Sequence, residues 1–191
     1  MELLKLLVQL EYQLLKGTVD VVIRSIAMNS KEVEAGDVFV CIAGAVTNGH
    51  AYIEEAIARG AAAIVIDEKR IDECRMPCRG KEITVISVSD TRYALALMAN
   101  EFYDHPAQKL QIIGITGTKG KTTITYMVKA ILEEAGHKVG LIGTIHNEIG
   151  DMTLPAKHTT PDPLQLHTLF RRMLDAGCEY VVMEEIGRAH V

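Results

Sequence analysis

A glycine-rich turn, Gly114-Ile-Thr-Gly-Thr-Lys-Gly-Lys-Thr-Thr123, constrains this chain more than any other feature. It joins a strand expected over Leu110–Ile115 to a helix expected over Thr122–Ala135. Glycines let successive backbone N–H groups point into one concavity, and the helix start adds its partial positive charge. Lys121 is long enough to reach β and γ phosphates, and the Thr122 hydroxyl is a ligand for Mg²⁺. The spacing departs by one place from G-x-x-x-x-G-K-[ST], since the first glycine is at 114 and Ile is at 115. A purely structural turn has no reason to spell Gly-Lys-Thr-Thr between a strand and a helix, so the turn reads as a nucleotide site.

Hydrophobic periodicity places this unit in a longer alternation of strands and helices, an α/β pattern. An amphipathic helix is expected in the first 15 residues, then strands at Val21–Met28 and Val38–Ile42. A helix over His50–Arg59 is stopped by Gly60, and strands at Ala62–Ile66 and Ile83–Val88 flank a polar excursion over 67–82. Asp90 or Thr91 can cap a helix from Arg92 to Tyr103, and His105-Pro106 then breaks the chain. Beyond the break the pattern restarts: the phosphate-loop unit, a strand at Val139–Ile142, a ligand-facing loop over 143–161, a helix over Pro163–Ala176 and a strand at Tyr180–Glu184. The 191 residues amount to roughly one and a third domains at about 150 residues each. We therefore expect a complete domain over 1–107 and the start of a second over 108–184.

Composition narrows the function classes. With 48% hydrophobic and 24% charged residues a packed core is expected, and a net charge of −5 argues against nucleic acid as a ligand. No apolar run reaches about 18 residues, and the first segment, carrying Glu2, Lys5 and Glu11, reads as a helix rather than a signal peptide. A cytoplasmic protein with no membrane partner, monomeric, is the expectation. Cys41, Cys74, Cys78 and Cys178 read as ordinary reduced thiols. Five histidines (His50, His105, His137, His146 and His167) read as surface or helix-end residues rather than catalysts.

Gly117-Thr118-Lys119-Gly120-Lys121-Thr122-Thr123 resembles the ATP loop of the Mur ligases, which build the peptide stem of peptidoglycan, and of the related folylpolyglutamate synthases. More of the chain resembles the MurE type within that family. Asn29-Ser30-Lys31 is similar to its D-S-R segment. Gly36-Asp37-Val-Phe-Val-Cys-Ile-Ala-Gly44 and Asn48-Gly49-His50 resemble its next motif, and Thr159-Thr160-Pro161 its T-T-P element. This chain departs from the pattern at Asn29, Lys31, Lys119 and His158, where the family has Asp, Arg, Asn and Asn.

The resemblance implies a UDP-binding α/β domain followed by an incomplete, Rossmann-like ATPase domain with a mostly parallel sheet. It implies an ATP- and Mg²⁺-dependent ligase that adds a third amino acid, meso-diaminopimelate or L-lysine, to UDP-N-acetylmuramoyl-L-Ala-D-Glu through an acyl phosphate. Lys121 would be catalytic and residues 117–123 would hold ATP. Thr122 and Glu184 would hold the metal, and Ser30, His158, Thr159 and Thr160 the UDP-sugar substrate. A folylpolyglutamate synthase-like ligase and a non-catalytic nucleotide or UDP-sugar module are the alternatives; the Ser30 to His50 segment disfavours the first, Gly-Lys-Thr-Thr the second. After Glu184 the family reads V-S-S-H where this chain reads Glu-Ile-Gly-Arg-Ala-His-Val191. Residues 185–191 are expected to be a sequencing artefact, and the 191-residue chain by itself to be inactive.

Overall fold

The computed structural model describes residues 1–44, 47–72, 74, 83–156 and 158–186. The chain divides into two compact units, Met1–Phe102 and Tyr103–Val191, each built on its own five-stranded sheet.

In the first unit the strands are β1 (Gln13–Lys16), β2 (Ile26–Ala27), β3 (Val38–Val40), β4 (Ala63–Asp67) and β5 (Thr84–Val88), in the order β1-β5-β4-β3-β2. β2 to β5 run parallel, and β1 closes one edge antiparallel to β5. Every residue of β3 and β5 is buried, and all of β4 but Asp67, the near-continuous apolar reading of parallel strands covered on both faces. On one face Phe39, Ile64, Ile66 and Val85 pack with Ile53, Ala56 and Ile57 of helix α2 (Ile53–Ala58). Helix α3 (Thr91–Phe102) touches β4 and also α1 (Leu3–Leu6). Asp90 caps α3, its Oδ1 accepting from the N–H groups of Arg92 (2.8 Å) and Tyr93 (3.0 Å).

Two expectations fail here. The first 15 residues form one helical turn, Leu3–Leu6, and then β1; Leu3, Leu6 and Leu7 are buried, while Gln13 and Leu14 pair with Ser87 and Ile86. An available sheet edge won over helical periodicity. The segment 21–28 contributes only Ile26–Ala27 to a strand.

The motif residues of this unit are largely scaffold. Asp37, 2% exposed, accepts from Arg24 Nε (3.0 Å) and Nη2 (3.1 Å) and from the Glu34 N–H (2.9 Å). His50 is buried rather than at the surface: Asn48 Oδ1 faces its Nδ1 at 2.8 Å, and its Nε2 accepts from the Asp67 N–H at 3.0 Å. That pair of bonds fixes the neutral Nδ1–H tautomer. Gly49 between them lies against β3's continuation; a Cβ there would come within 2.8 Å of Ile42 N and 3.1 Å of Cys41 Cα, both backbone atoms. Gly49→Ala is therefore expected to cost about 2 kcal/mol, seen as a lower urea midpoint at unchanged slope.

The second unit contains β6 (Gln111–Ile115), β7 (Val139–Ile142), β8 (His146–Ile149), β9 (Met152–Pro155) and β10 (Tyr180–Glu184), in the order β6-β10-β7-β8-β9. β6, β10 and β7 are parallel; β8 and β9 extend the sheet antiparallel. The loop expected over 143–161 is thus largely a hairpin turning at Gly150-Asp151. Asn147 and Ile149 point inward while His146 and Glu148 are half-buried, the period-two pattern of a strand. Helix α5 (Pro163–Asp175) is capped by Asp162, whose carboxylate accepts from the Gln165 N–H, and buries Leu169, Phe170 and Met173 against Ile142, Val181 and Met183. Helix α4 (Lys121–Glu134) follows β6 across the glycine-rich loop 116–120. Cys41, Cys74 and Cys178 are buried thiols outside any disulfide, and burial pushes Cys41 and Cys178 up from the ordinary thiol value; Cys78 and most of 73–82 lie outside the described residues. No described helix is long and apolar enough to cross a membrane.

Candidate nucleotide and metal site

Parallel pairing of β6 with β10 sets Ile115 beside Glu184, so the phosphate loop and the end of β10 emerge at the same edge of the sheet. Gly120, at φ +80°, turns the chain into α4 and brings no side chain to cap it. The first N–H groups of the helix are left without intrahelical partners, which makes this end a receptor for anions. Lys121 Nζ donates to the Gly117 carbonyl at 2.8 Å, so its ammonium lies over the loop. Thr125, fully buried, donates to the Lys121 carbonyl at 2.6 Å and ties down the first turn.

Glu184 is the centre of the arrangement. It is 1% exposed, yet both carboxylate oxygens are hydrogen-bonded. Thr122 Oγ1 lies 3.1 Å from each of them. The Thr144 N–H donates to Oε1 at 3.0 Å, and the Thr144 hydroxyl donates to Oε2 at 3.1 Å. Behind it, Thr160 Oγ1 donates to the Glu184 carbonyl at 3.0 Å and accepts from the Ile186 N–H at 3.2 Å. Thr159 Oγ1 is 3.0 Å from Thr144 Oγ1. A buried carboxylate requires such partners, because an unpaired charge out of water is prohibitively costly.

The oxygen donors suit a small hard cation. A threonine hydroxyl beside a carboxylate is the kind of oxygen donor set that Mg²⁺ takes. No group of three or more His, Cys, Asp or Glu side chains poised for a metal occurs among the described residues. A cation here would complete its shell with phosphate oxygens and water, the usual habit of Mg²⁺ at phosphate sites.

The structure therefore brings Lys121, Thr122, Thr159, Thr160 and Glu184 together at one sheet edge. Thr118, Lys119 and Thr123 are exposed around them, and so is His158. Ser30 belongs to the first unit. There it lines a cleft of about 540 Å³ with Asn29, Lys31, Thr47, Tyr52 and Arg92, and its hydroxyl donates to Glu55 Oε2 at 2.7 Å. Sequence reasoning missed Thr144, which no motif marks. It also missed a polar cluster on β8 and α4, where Tyr126 OH and Glu148 Oε1 lie 2.9 Å and 2.6 Å from His146 Nε2. Burial raises the Glu148 carboxyl, but hydrogen bonds from Lys129 and His146 outweigh it and hold its pKa below the ordinary glutamate value.

Comparison with known proteins identifies the family. The family model "Mur ligase family, catalytic domain" matches residues 22–103, and "Mur ligase middle domain" matches residues 115–190. The UDP-N-acetylmuramoyl-L-alanyl-D-glutamate–2,6-diaminopimelate ligase of Clostridium tetani is 47% identical over 184 residues, covering 96% of this chain. The chain spans 37% of that relative's length. A solved UDP-N-acetylmuramoyl-L-alanyl-D-glutamate–2,6-diaminopimelate ligase shares the fold, with a TM-score of 0.63 at 23% identity over 85% of this chain and 32% of its own. The MurF ligase of Thermotoga maritima, solved in complex with ADP, has a TM-score of 0.52 at 28% identity, over 84% of this chain and 31% of its own. The two family matches together run from residue 22 to residue 190 with one short gap, and the chain belongs to the Mur ligase family.

Proposed function

We propose that these residues are the UDP-substrate-binding and ATP-binding parts of a cytoplasmic, MurE-type ligase of peptidoglycan precursor synthesis. The reaction is ATP-dependent addition of a third amino acid to UDP-N-acetylmuramoyl-L-Ala-D-Glu. The name of the relative from Clostridium tetani supports 2,6-diaminopimelate as that amino acid. The observation that carries the reading is the buried Glu184 carboxylate set 3.1 Å from the Thr122 hydroxyl at the head of α4.

In this reading ATP phosphorylates the side-chain carboxylate of D-Glu, the incoming amine attacks the acyl phosphate, and phosphate leaves from a tetrahedral intermediate. The protein's contribution is positioning and charge neutralisation. The backbone of Gly117, Thr118, Lys119 and Gly120, with Thr123 in the first turn, cradles the phosphates, and Lys121 swings from the Gly117 carbonyl to meet them. Thr122 and Glu184 are the residues that would hold Mg²⁺, which when bound would supply positive charge against the phosphates. His158, Thr159 and Thr160 in the second unit, and Ser30 in the first, are residues for the UDP-sugar substrate. The 191 residues acting alone, as a monomer, bind without turning over.

Calorimetric titration tests this. Mg·ADP and UDP are each expected to bind the chain, ADP binding is expected to weaken on addition of a chelator, and no phosphate release is expected when ATP, UDP-substrate and diaminopimelate are supplied together. A chain with no affinity for Mg·ADP would remove the nucleotide reading, and phosphate release dependent on the amino acid would remove the expectation of inactivity.

A further inference from the structure

Resting on the metal and nucleotide reading of this site, we infer that Thr144 is a positioning residue. It holds the Glu184 carboxylate in the orientation that ligates the cation and joins it to the Thr159 segment. Thr144 stands two residues past the end of β7, after Gly143, and reaches Glu184 with two separate groups. Its N–H donates to Oε1 at 3.0 Å, and its hydroxyl donates to Oε2 at 3.1 Å. Two donors on the two oxygens of one carboxylate fix the plane of that group as well as its location.

The proton count orders the rest. An ionised carboxylate only accepts, so the single hydroxyl proton of Thr144 goes to Oε2. The Thr159 hydroxyl, 3.0 Å away, then donates to Thr144. A directed chain runs from Thr159 through Thr144 to Glu184, so a ligand that engages Thr159 acts on the same network that sets the metal carboxylate. Thr122 approaches Glu184 from the other side, and its hydroxyl is the group that turns to the cation. Once Thr122 has turned away, Thr144 is the side chain that still grips the carboxylate. Its role is that of an outer partner which aims a metal ligand without touching the metal.

Thr144 is itself exposed, so removing its hydroxyl disturbs no core. The test measures ADP binding to the 191-residue chain as Mg²⁺ is titrated, and separately in EDTA, for wild type, Thr144→Val and Thr144→Ser. In Thr144→Val the Mg²⁺ concentration for half-maximal response is expected to rise roughly 10-fold, with ADP affinity in EDTA unchanged, and Thr144→Ser is expected to return within about twofold of wild type. A valine variant with the wild-type Mg²⁺ response overturns the inference. So does an equal loss in Mg²⁺ and in EDTA, which signals a distorted loop, or a serine variant as impaired as valine. Failure of the underlying reading shows in the wild type itself, as ADP binding that ignores Mg²⁺, and it overturns the inference with it.

Discussion

Replacing Lys121 with alanine is expected to weaken Mg·ADP binding by roughly 10- to 150-fold, the equivalent of one hydrogen bond to a charged group at about 1.5–3 kcal/mol. The ammonium sits over the loop on the Gly117 carbonyl, so it needs only to rotate about its own stem to meet a phosphate. Its neutral partner is a backbone carbonyl at the surface, which water can satisfy once the side chain is gone. Thermal stability is therefore expected to stay near wild type, and the loss to appear in binding alone. Lys121→Arg separates charge from shape: a planar fork retains the positive charge but not the compact point donor, and is expected to fall between wild type and alanine. Calorimetry on the three proteins reads the difference directly. Equal affinity for all three would mean that the loop is a tight βα turn and no phosphate receptor.

The second large effect concerns Glu184. Glu184→Ala is expected to abolish the Mg²⁺ dependence of ADP binding, leaving the affinity at its value in EDTA, because the carboxylate that would ligate the cation is removed. It is also expected to destabilise the second unit by about 1–3 kcal/mol, since the Thr122 hydroxyl and the Thr144 N–H lose a charged acceptor. Glu184→Gln keeps the shape but points an amide N–H₂ at groups that already donate, so it is expected to lose the Mg²⁺ response with a smaller cost in stability. Chemical unfolding with ADP titration in EDTA and in Mg²⁺ measures both effects. Retention of the Mg²⁺ response in Glu184→Ala would place the cation elsewhere.

These two residues were not equally legible. Lys121 stands in a motif whose chemistry is local: glycine backbone, helix start, ammonium and hydroxyl occupy ten consecutive residues. Glu184 is 62 positions from Thr122, and in the sequence it is a carboxylate at the end of a strand. Only the family resemblance marks it. What brings it to Thr122 is the parallel register of β10 on β6, which pairs Glu184 with Ile115. Thr144 was invisible for the same reason: a threonine after a strand is ordinary until β7 is placed beside β10.

The misread elements have related causes. Residues 1–15 carry a helix-like apolar spacing, but apolar residues at those intervals also suit a short turn followed by a strand, and only the vacant edge of β5 decides between them. In the segment 143–161 the alternation His146-Asn-Glu-Ile149 and the Gly-Asp pair were present as hairpin signals, outweighed by the polar character and prolines of the stretch. His50 looked like a surface histidine because nothing local shows that Asp67, 17 residues on, donates to it.

By itself, then, the sequence determined what depends on neighbours in the chain: the alternation of strand and helix, and a glycine-rich turn between a strand and a helix. Only the tertiary structure decided what depends on strand order. It set Glu184 and Thr144 against Thr122, and it made scaffold of Asp37 and His50. It also made a sheet edge of β1, in the apolar start of the chain, and another of β9, in the polar 143–161 stretch. The physical reason is that backbone torsions and caps are settled within a few residues, whereas a buried carboxylate acquires its partners only when distant strands pair in register.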